Sequence, residues 1–191
     1  MKIRESGMPD EKTWDGFFAP GQILARLDFT DFSVDVVDFG CGYGTFTVAA
    51  AELTSGTVFG LDIEPHMLAA TDTRAKSRGL SNVRVVERDF VADGSGLADG
   101  SVGYAMVFNI LHAEDAIGLL REAFRVLLPG GTVGVIHWNY DAATPRGPDL
   151  NIRPRLEQCQ QWVQEAGFEL ARLFVDLPPY HYGVVGYKRS G

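Results

Sequence analysis

A short apolar segment, a run of alternating glycines and a helix-forming stretch follow one another directly in the first third of this chain. Residues Val34 to Phe39 are mostly apolar and β-branched, which predicts a buried strand. Residues Gly40 to Gly44 carry a glycine at every second position, and residues 45–53 favour a helix. Since glycine lacks a Cβ, the backbone can turn sharply here and a ligand can approach its amide groups. The segment therefore predicts a ligand-binding turn between a strand and a helix.

The spacing of these glycines separates two kinds of nucleotide site. A dinucleotide-binding turn has its third glycine one position later, where this chain has Thr45. The spacing Gly-x-Gly-x-Gly, with an acid shortly before it, resembles the first motif of the class I S-adenosylmethionine-dependent methyltransferases. In that family the loop wraps the amino-acid end of the cofactor. The resemblance implies that the cofactor contacts five residues here: Asp38, Gly40, Cys41, Gly42 and Gly44.

Two further acids follow predicted strands. Asp62 ends the second strand, 24 positions after Asp38 (62 minus 38), where a carboxylate can accept both hydroxyls of a ribose. Its alternative role is to cap the helix that begins near Pro65. Asp89 ends the third strand, where an acid can accept from the adenine amino group, unless it caps its own turn. The resemblance implies adenosine contacts from these acids and their neighbours: Asp62, Ile63, Met67, Asp89 and Phe90.

The fourth predicted strand, residues 99–108, leads into Asn109 and His112. In a doubly wound sheet the first and fourth strands flank the crevice where the strand order reverses, so a ligand on the glycine loop should meet these residues. The family uses backbone carbonyls near Asn109 to hold the methionine amino group. An imidazole with an ordinary pKa near about 6.5 is suited to accept a proton, which makes His112 a candidate base. Alternatively, His112 only packs and hydrogen-bonds locally.

A helix over residues 116–128 should end at the Pro129-Gly130-Gly131 stretch, before a fifth strand over residues 132–136. The string from Arg125 to Gly131 resembles the family's sixth motif, which is architectural. A long proline-rich loop follows, and such loops between core elements are often functional. Its candidates for acceptor contact are His137, also a possible base, Tyr140 and Arg153; the alternative is a solvated loop with an anchoring ion pair.

The last two predicted strands, residues 168–175 and 182–188, have no helix between them and should pair antiparallel. We therefore predict an α/β fold: one doubly wound, Rossmann-like sheet of seven strands. The resemblance implies the order 3-2-1-4-5-7-6, with the last strand antiparallel. We assign residues 33–191 to the S-adenosylmethionine-binding domain. Residues 1–32, with Trp14, Phe17 and Phe18 on a first helix, should form a helical cover, acting either as a cap on the sheet or as a lid.

The composition suits a single domain. With 191 residues, 46% hydrophobic, and a mean hydropathy of -0.01, the chain can close one core and is too short for a second. It has no run of about 18 apolar residues, and the N-terminus lacks the apolar core of a signal peptide. We therefore expect a cytoplasmic protein with no membrane segment.

Charge and cysteine content disfavour several other classes of protein. The 17 basic and 25 acidic residues give a formal net charge of -8, and no basic cluster is visible, so nucleic acid is a disfavoured partner. The two cysteines, Cys41 and Cys159, are far apart and lack metal-ligand partners at the usual spacings. Neither a disulfide framework nor a metal site is expected.

Together these features predict methyl transfer from S-adenosylmethionine to a small-molecule acceptor, leaving S-adenosylhomocysteine. The resemblance covers roughly Asp35 to Lys188, and the opening Arg4 to Pro9 with Trp14 resembles small stand-alone, type 11-like methyltransferases of unassigned substrate. Two alternatives remain: a subunit that binds the cofactor without transferring methyl, and a nicotinamide-dependent reductase, which Thr45 and the terminal hairpin disfavour. No sequence feature fixes the acceptor atom or the oligomeric state.

Overall fold

The computed structural model describes residues 8–190 and contains one seven-stranded sheet. Its strands lie in the order 3-2-1-4-5-7-6, and strand 7 runs antiparallel to both of its neighbours. The predicted fold class and topology are therefore confirmed. The strands and helices have the following bounds: α1 Glu11–Asp15, α2 Pro20–Arg26, β1 Val36–Phe39, α3 Thr45–Leu53, β2 Val58–Asp62, α4 Pro65–Ser77, β3 Val83–Glu87, α5 Phe90–Asp93, β4 Val102–Phe108, α6 Ala116–Val126, β5 Leu127–Trp138, α7 Leu156–Glu165, β6 Glu169–Leu177 and β7 His181–Tyr187.

Alternate residues of the central strands enter two different hydrophobic clusters, as expected for a sheet covered on both faces. Val37 and Phe39 of β1 pack in a cluster with residues of α6 and α7. Val36 of the same strand packs in a second cluster with residues of α2 and α3. All four residues of β1 are buried. The strand that leads into the glycine loop thus lies at the centre of the core.

The fifth strand begins earlier than its sequence indicated. Helix α6 ends at Val126, and Leu127 already pairs with Val102 of β4, so the strand runs through the proline and glycines expected to precede it. Gly130 has a φ of 81° and donates its N–H to the Lys188 carbonyl. A β-bulge between Val102 and Tyr104 absorbs the irregularity. The predicted stop between helix and strand is therefore wrong, because these glycines pair within the sheet.

The N-terminal segment contains two short helices, α1 and α2. The first starts at Glu11 rather than near Pro9, because the Asp10 side chain accepts the Thr13 backbone N–H and caps the helix. Leu24 and Leu27 are fully buried against the second core cluster. Residues 1–7, including the Arg4 to Gly7 stretch, lie outside the described residues. Within residues 8–190, every helix is too short or too polar to span a bilayer.

Candidate functional site

A cavity of about 470 Å³ opens at the carboxyl ends of β1 to β4. Residues that end these strands, or follow them by one or two positions, line it, as Gly40, Asp62, Asp89 and Asn109 illustrate. This is the crevice at which strand order reverses, between β1 and β4. The doubly wound topology therefore places the predicted ligand-binding turn at the edge of a single cavity.

Main-chain hydrogen bonds anchor the glycine loop to the neighbouring strand β2. Gly40, Gly42 and Gly44 have φ values of 77°, 52° and 77°, in the left-handed region that favours glycine. The Gly40 and Cys41 amides both donate to the Leu61 carbonyl, at 2.8 and 2.9 Å. Gly40 and Gly42 line the cavity, whereas Gly44 is the N-cap residue of α3 and is not part of the lining.

Asp38 and Asp62 are buried acids on adjacent strands. Asp38 accepts a 2.6 Å hydrogen bond from the Thr47 hydroxyl, and burial, with a smaller contribution from the Asp62 charge, raises its pKa from 3.8 to about 7. Asp62 accepts the backbone N–H groups of Gly42 at 2.9 Å and Glu64 at 3.0 Å, and burial raises its pKa as well. Both side chains line the cavity.

Asp62 does not cap helix α4. The N-cap residue of that helix is Glu64, which makes no side-chain capping hydrogen bond. Instead, the carboxylate of Asp62 fixes Gly42 against the end of β2. The alternative role weighed for this acid is therefore not the one that the fold uses.

Asp89 does cap the turn that follows it. Its carboxylate accepts the Ala92 backbone N–H at 3.1 Å and so begins the four-residue helix α5. The next residue, Phe90, lies 5.4 Å from Phe39 between ring centroids. Both Asp89 and Phe90 line the cavity, so capping and exposure to a ligand coexist at this strand end.

Three further predicted cofactor contacts differ in their placement. Ile63 and Asn109 line the cavity, whereas Met67 is only 2% exposed and lies outside the lining. Asn109 has a φ of 59°, and both polar atoms of its buried amide lack a partner among the described residues. An unpaired buried amide facing a cavity is a ready contact for a polar ligand.

Among the four predicted catalytic residues, only His112 lines the cavity. Its Nδ1 is buried without a partner, which leaves Nε2 as the nitrogen that a ligand can reach. Burial lowers the pKa of His112 from 6.5 to about 4, so the imidazole is neutral at physiological pH.

The other three predicted catalytic residues lie outside the cavity lining. His137 is fully buried behind His112, with 5.6 Å between ring centroids. Tyr140 is 38% exposed, with the Arg155 guanidinium 3.7 Å from its ring centroid. Arg153 donates to the Thr144 hydroxyl and to the backbone carbonyls of four loop residues: Asn139, Asp141, Arg146 and Pro148.

The role of Arg153 therefore differs from direct acceptor contact. The loop over residues 139–153 folds around its guanidinium. The alternative considered from the sequence was an ion pair that anchors the loop, but Arg153 donates to backbone carbonyls and the Thr144 hydroxyl, not to a carboxylate. Gly147 has a φ of 110°, and a Cβ there would lie 2.8 Å from Trp138 and 2.9 Å from Arg153. The loop contributes Arg146 to Asp149 and Ile152 to the cavity wall.

Aromatic side chains from distant parts of the chain form the remaining wall. Trp14, Phe46, Phe108 and Trp138 line the cavity, and Trp14 lies 6.4 Å from Trp138 between ring centroids. The sequence predicts Trp14 to lie in the N-terminal cover, but it gives no signal for Trp138 or Arg146. These residues meet only because β5 brings its carboxyl end beside the N-terminal segment.

The N-terminal segment is fastened to the glycine loop by polar contacts. Asp15 accepts the Thr45 hydroxyl at 2.7 Å and an Arg74 guanidinium nitrogen at 2.8 Å. Tyr43 donates its hydroxyl to the Pro9 carbonyl at 3.0 Å. Since Tyr43 and Thr45 flank Gly44, these hydrogen bonds join the N-terminal segment directly to the glycine loop.

Comparisons with known proteins agree with this geometry. The family profile described as "Methyltransferase domain" matches residues 36–131, which is half of the chain. The chain belongs to this methyltransferase family. A demethylmenaquinone methyltransferase of Geobacillus stearothermophilus is 28% identical over 187 residues, covering 80% of this chain and 78% of that protein. Aklanonic acid methyltransferase DauC of Streptomyces sp. (strain C5) is 30% identical over 160 residues, covering 78% and 72%.

Solved structures show the same fold. The crystal structure of a SAM-dependent methyltransferase from Aquifex aeolicus superposes with a TM-score of 0.81, at 21% identity, and covers 93% of each chain. S-adenosylmethionine is the cofactor of this methyltransferase. The residues of the cavity fit that group. The buried amide of Asn109 has no partner among the described residues, and the glycine loop lies beside it. Burial disfavours the charged forms of Asp38 and Asp62, so a cationic ligand would stabilise these carboxylates.

Proposed function

We propose that this methyltransferase transfers the methyl group of S-adenosylmethionine to a small-molecule acceptor inside the cavity at the carboxyl ends of β1 to β4. One observation carries the proposal: the glycine loop, three acids at consecutive strand ends and one neutral histidine line the same cavity. The curated relatives support a small acceptor, since their names describe methylation of demethylmenaquinone and of aklanonic acid.

The cofactor-binding side of the proposal uses the lining residues that the sequence indicated. Asp62 and Asp89 would hold the adenosine, with Ile63 and Phe90 against the base, and Asp38 would face the charged amino-acid end. The bound cofactor supplies an electrophilic methyl group, so the protein has chiefly to hold a nucleophile in line with it and exclude water. Met67 and Gly44 would act indirectly, by packing and by starting α3.

The acceptor side of the cavity is largely aromatic, and the loop after β5 adds the charged side chains of Arg146 and Asp149 to it. Trp14, Phe46 and Trp138 offer flat apolar surfaces, and His112 offers one reachable imidazole nitrogen. We therefore assign to this side a ring-bearing, largely apolar acceptor whose polar atom meets His112. Tyr140 and Arg153 would act on it only through the loop that Arg153 organises.

Three further features belong to this proposal. We assign residues 33–191 to the catalytic domain and residues 1–32 to a cover that closes over the acceptor. The net charge of -8 disfavours nucleic acid as acceptor. We place the protein in the cytoplasm.

Calorimetry followed by turnover tests the proposal. S-adenosylmethionine and S-adenosylhomocysteine should each bind with one-to-one stoichiometry, and NADPH should not bind. S-adenosylhomocysteine release should then be measured over pools of aromatic acids, quinols and phenols. Tight binding with no release from any pool would favour a subunit that only binds the cofactor.

The role of His112 is tested with two matched variants. His112→Ala should lower turnover about 10²-fold or more and leave the dissociation constant for the cofactor within threefold. His66→Ala, in which an exposed histidine of α4 is removed, should change neither. Turnover that survives His112→Ala within a few-fold would remove His112 from the proposed site.

A further inference from the structure

Two neighbouring histidines each bury a nitrogen that has no partner among the described residues: Nδ1 of His112 and Nε2 of His137. Their rings lie 5.6 Å apart between centroids and are nearly perpendicular, at 85°. A buried polar group without a hydrogen bond destabilises the folded state. Two such groups on adjacent rings can satisfy each other if one is a donor and the other an acceptor.

The backbone determines which nitrogen of His137 carries the proton. The Trp138 backbone N–H donates to His137 Nδ1 at 3.0 Å, so Nδ1 must be the bare, accepting nitrogen. Burial lowers the pKa of His137, with smaller contributions from His112, His181 and Arg153, so the ring is neutral. A neutral imidazole that accepts at Nδ1 carries its single proton on Nε2. The unpaired nitrogen of His137 is therefore a donor.

We propose that His137 is a positioning residue that donates its Nε2–H to Nδ1 of His112 and thereby fixes His112 as the tautomer protonated at Nε2. The centroid distance of 5.6 Å places the two rings close enough for this hydrogen bond to form once they rotate so that the two unpaired nitrogens face each other. The nitrogen that His112 presents to the cavity then bears a hydrogen. His112 offers the acceptor a hydrogen-bond donor and has no lone pair on that side to take a proton.

This inference narrows the acceptor class, a step that rests on the proposed function. A donor at this position suits an acceptor with a carbonyl or anionic oxygen beside the methylated atom, such as a carboxylate, an enolate or a phenolate. A neutral histidine with a pKa of about 4 is also a poor base at pH 7, which agrees with this role. The tautomer itself does not depend on the proposed function.

Long-range ¹H–¹⁵N correlation spectra of the ligand-free protein, labelled on histidine nitrogen, test the proposal directly. They distinguish protonated from bare ring nitrogens, and His66→Gln and His112→Gln assign the signals of two of the 4 histidines. At pH 7.5, His112 should show a protonated Nε2 and a bare Nδ1. A protonated Nδ1 on His112, or an average of both tautomers, would overturn the proposal without touching the evidence for methyl transfer.

Two variants of His137 separate positioning from packing. His137→Phe keeps a ring but removes the donor, so His112 should average between tautomers; His137→Gln keeps an N–H donor and should retain the protonated Nε2. An unchanged His112 spectrum in a folded His137→Phe protein would refute the role of His137. If His137→Phe does not fold, the wild-type spectrum and His137→Gln still decide the question. Failure of the wild-type protein to bind S-adenosylmethionine in calorimetry would count against the proposed function and leave the tautomer of His112 unaffected.

Discussion

The two sides of the cavity are built by different means. The cofactor side consists of strand ends and the turns that directly follow them, fixed by hydrogen bonds between adjacent strands, as between Gly42 and Asp62. The acceptor side combines the N-terminal helices, α3 and the loop after β5, joined by aromatic packing and by the Arg153 hydrogen bonds. One side is acidic and locally encoded, whereas the other is aromatic and assembled from distant segments.

This difference predicts that the two sides fail independently. Changes at strand ends should alter cofactor affinity, because the residues at those positions line the proposed cofactor side of the cavity. Changes in the loop after β5 should leave cofactor affinity nearly intact and alter the acceptor wall. A mutation that damages both sides equally would show that the cavity is a single cooperative unit.

Asp62→Ala should have the largest effect. It removes a buried carboxylate that accepts two backbone N–H groups and is proposed to hold the ribose, so both the loop anchor and a ligand contact are lost. Charged hydrogen bonds of this kind contribute about 1.5 to 3 kcal/mol each. The dissociation constant for S-adenosylmethionine should rise at least about 100-fold in calorimetry.

The matched control for this variant is Asp72→Ala. Asp72 is an acid on the neighbouring helix α4, 43% exposed and paired with Lys76, and it does not line the cavity. Cofactor affinity should stay within twofold of wild type. If Asp62→Ala bound the cofactor as tightly as this control, the proposed cofactor side would be misplaced.

The sequence predicted the cofactor side of the cavity better than the acceptor side. Asp38, Asp62 and Asp89 could be identified because parallel strands end at one edge, so residues after successive strands converge whatever the rest of the chain does. Met67 was placed at the adenine because it follows Asp62 closely, but helix α4 turns it into the core. The order of strands and helices along the chain predicted which elements meet at the cavity, but it did not predict that Met67 lies on the buried face of α4.

The acceptor side gave weaker signals for a physical reason. Arg153 binds mostly main-chain carbonyls, which every residue possesses, so no residue pattern marks its partners. Arg146 lies in the cavity wall next to Gly147, whose missing Cβ permits a close approach of the loop to Trp138. The role of His137 depends on which of its ring nitrogens accepts the Trp138 backbone N–H, and only the structure shows this.

Arg153→Met should have an intermediate effect that is confined to the acceptor side. Removing the guanidinium leaves loop carbonyls without a donor, so amide hydrogen exchange over residues 139–152 should accelerate at least tenfold. The free energy of unfolding should fall by about 2 kcal/mol, while the dissociation constant for S-adenosylmethionine stays within threefold. Arg121→Met, on the exposed surface of α6, is the control and should leave both properties unchanged. A large loss of cofactor affinity in Arg153→Met would erase the distinction between the two sides.

The two sides should also respond to pH in opposite directions. Asp38 has its pKa raised to about 7, so its folded state holds a proton that the unfolded state has released, and its contribution to stability is lost as pH rises from about 4 through about 7. His112 and His181 have pKa values lowered to about 4 and about 3, so their contribution is complete above 6.5 and is lost as pH falls below it. At pH 8 the buried Asp38 carboxylate should therefore lower the free energy of unfolding of the ligand-free protein, whereas the neutral histidines contribute their full stabilisation.

Asp38→Asn isolates the acidic side and should give the smallest of these effects. The amide oxygen can still accept the Thr47 hydroxyl, but no charge is buried at high pH. Thermal melts of the ligand-free variant at pH 8 should rise by about 2 to 4 °C, which corresponds to about 1 kcal/mol in a domain of this size, and the gain should shrink at pH 5. His112→Gln should change only the acidic end of the profile. An equal gain for Asp38→Asn at both pH values would mean that the variant improves packing, and that the buried carboxylate is not what a cationic cofactor relieves.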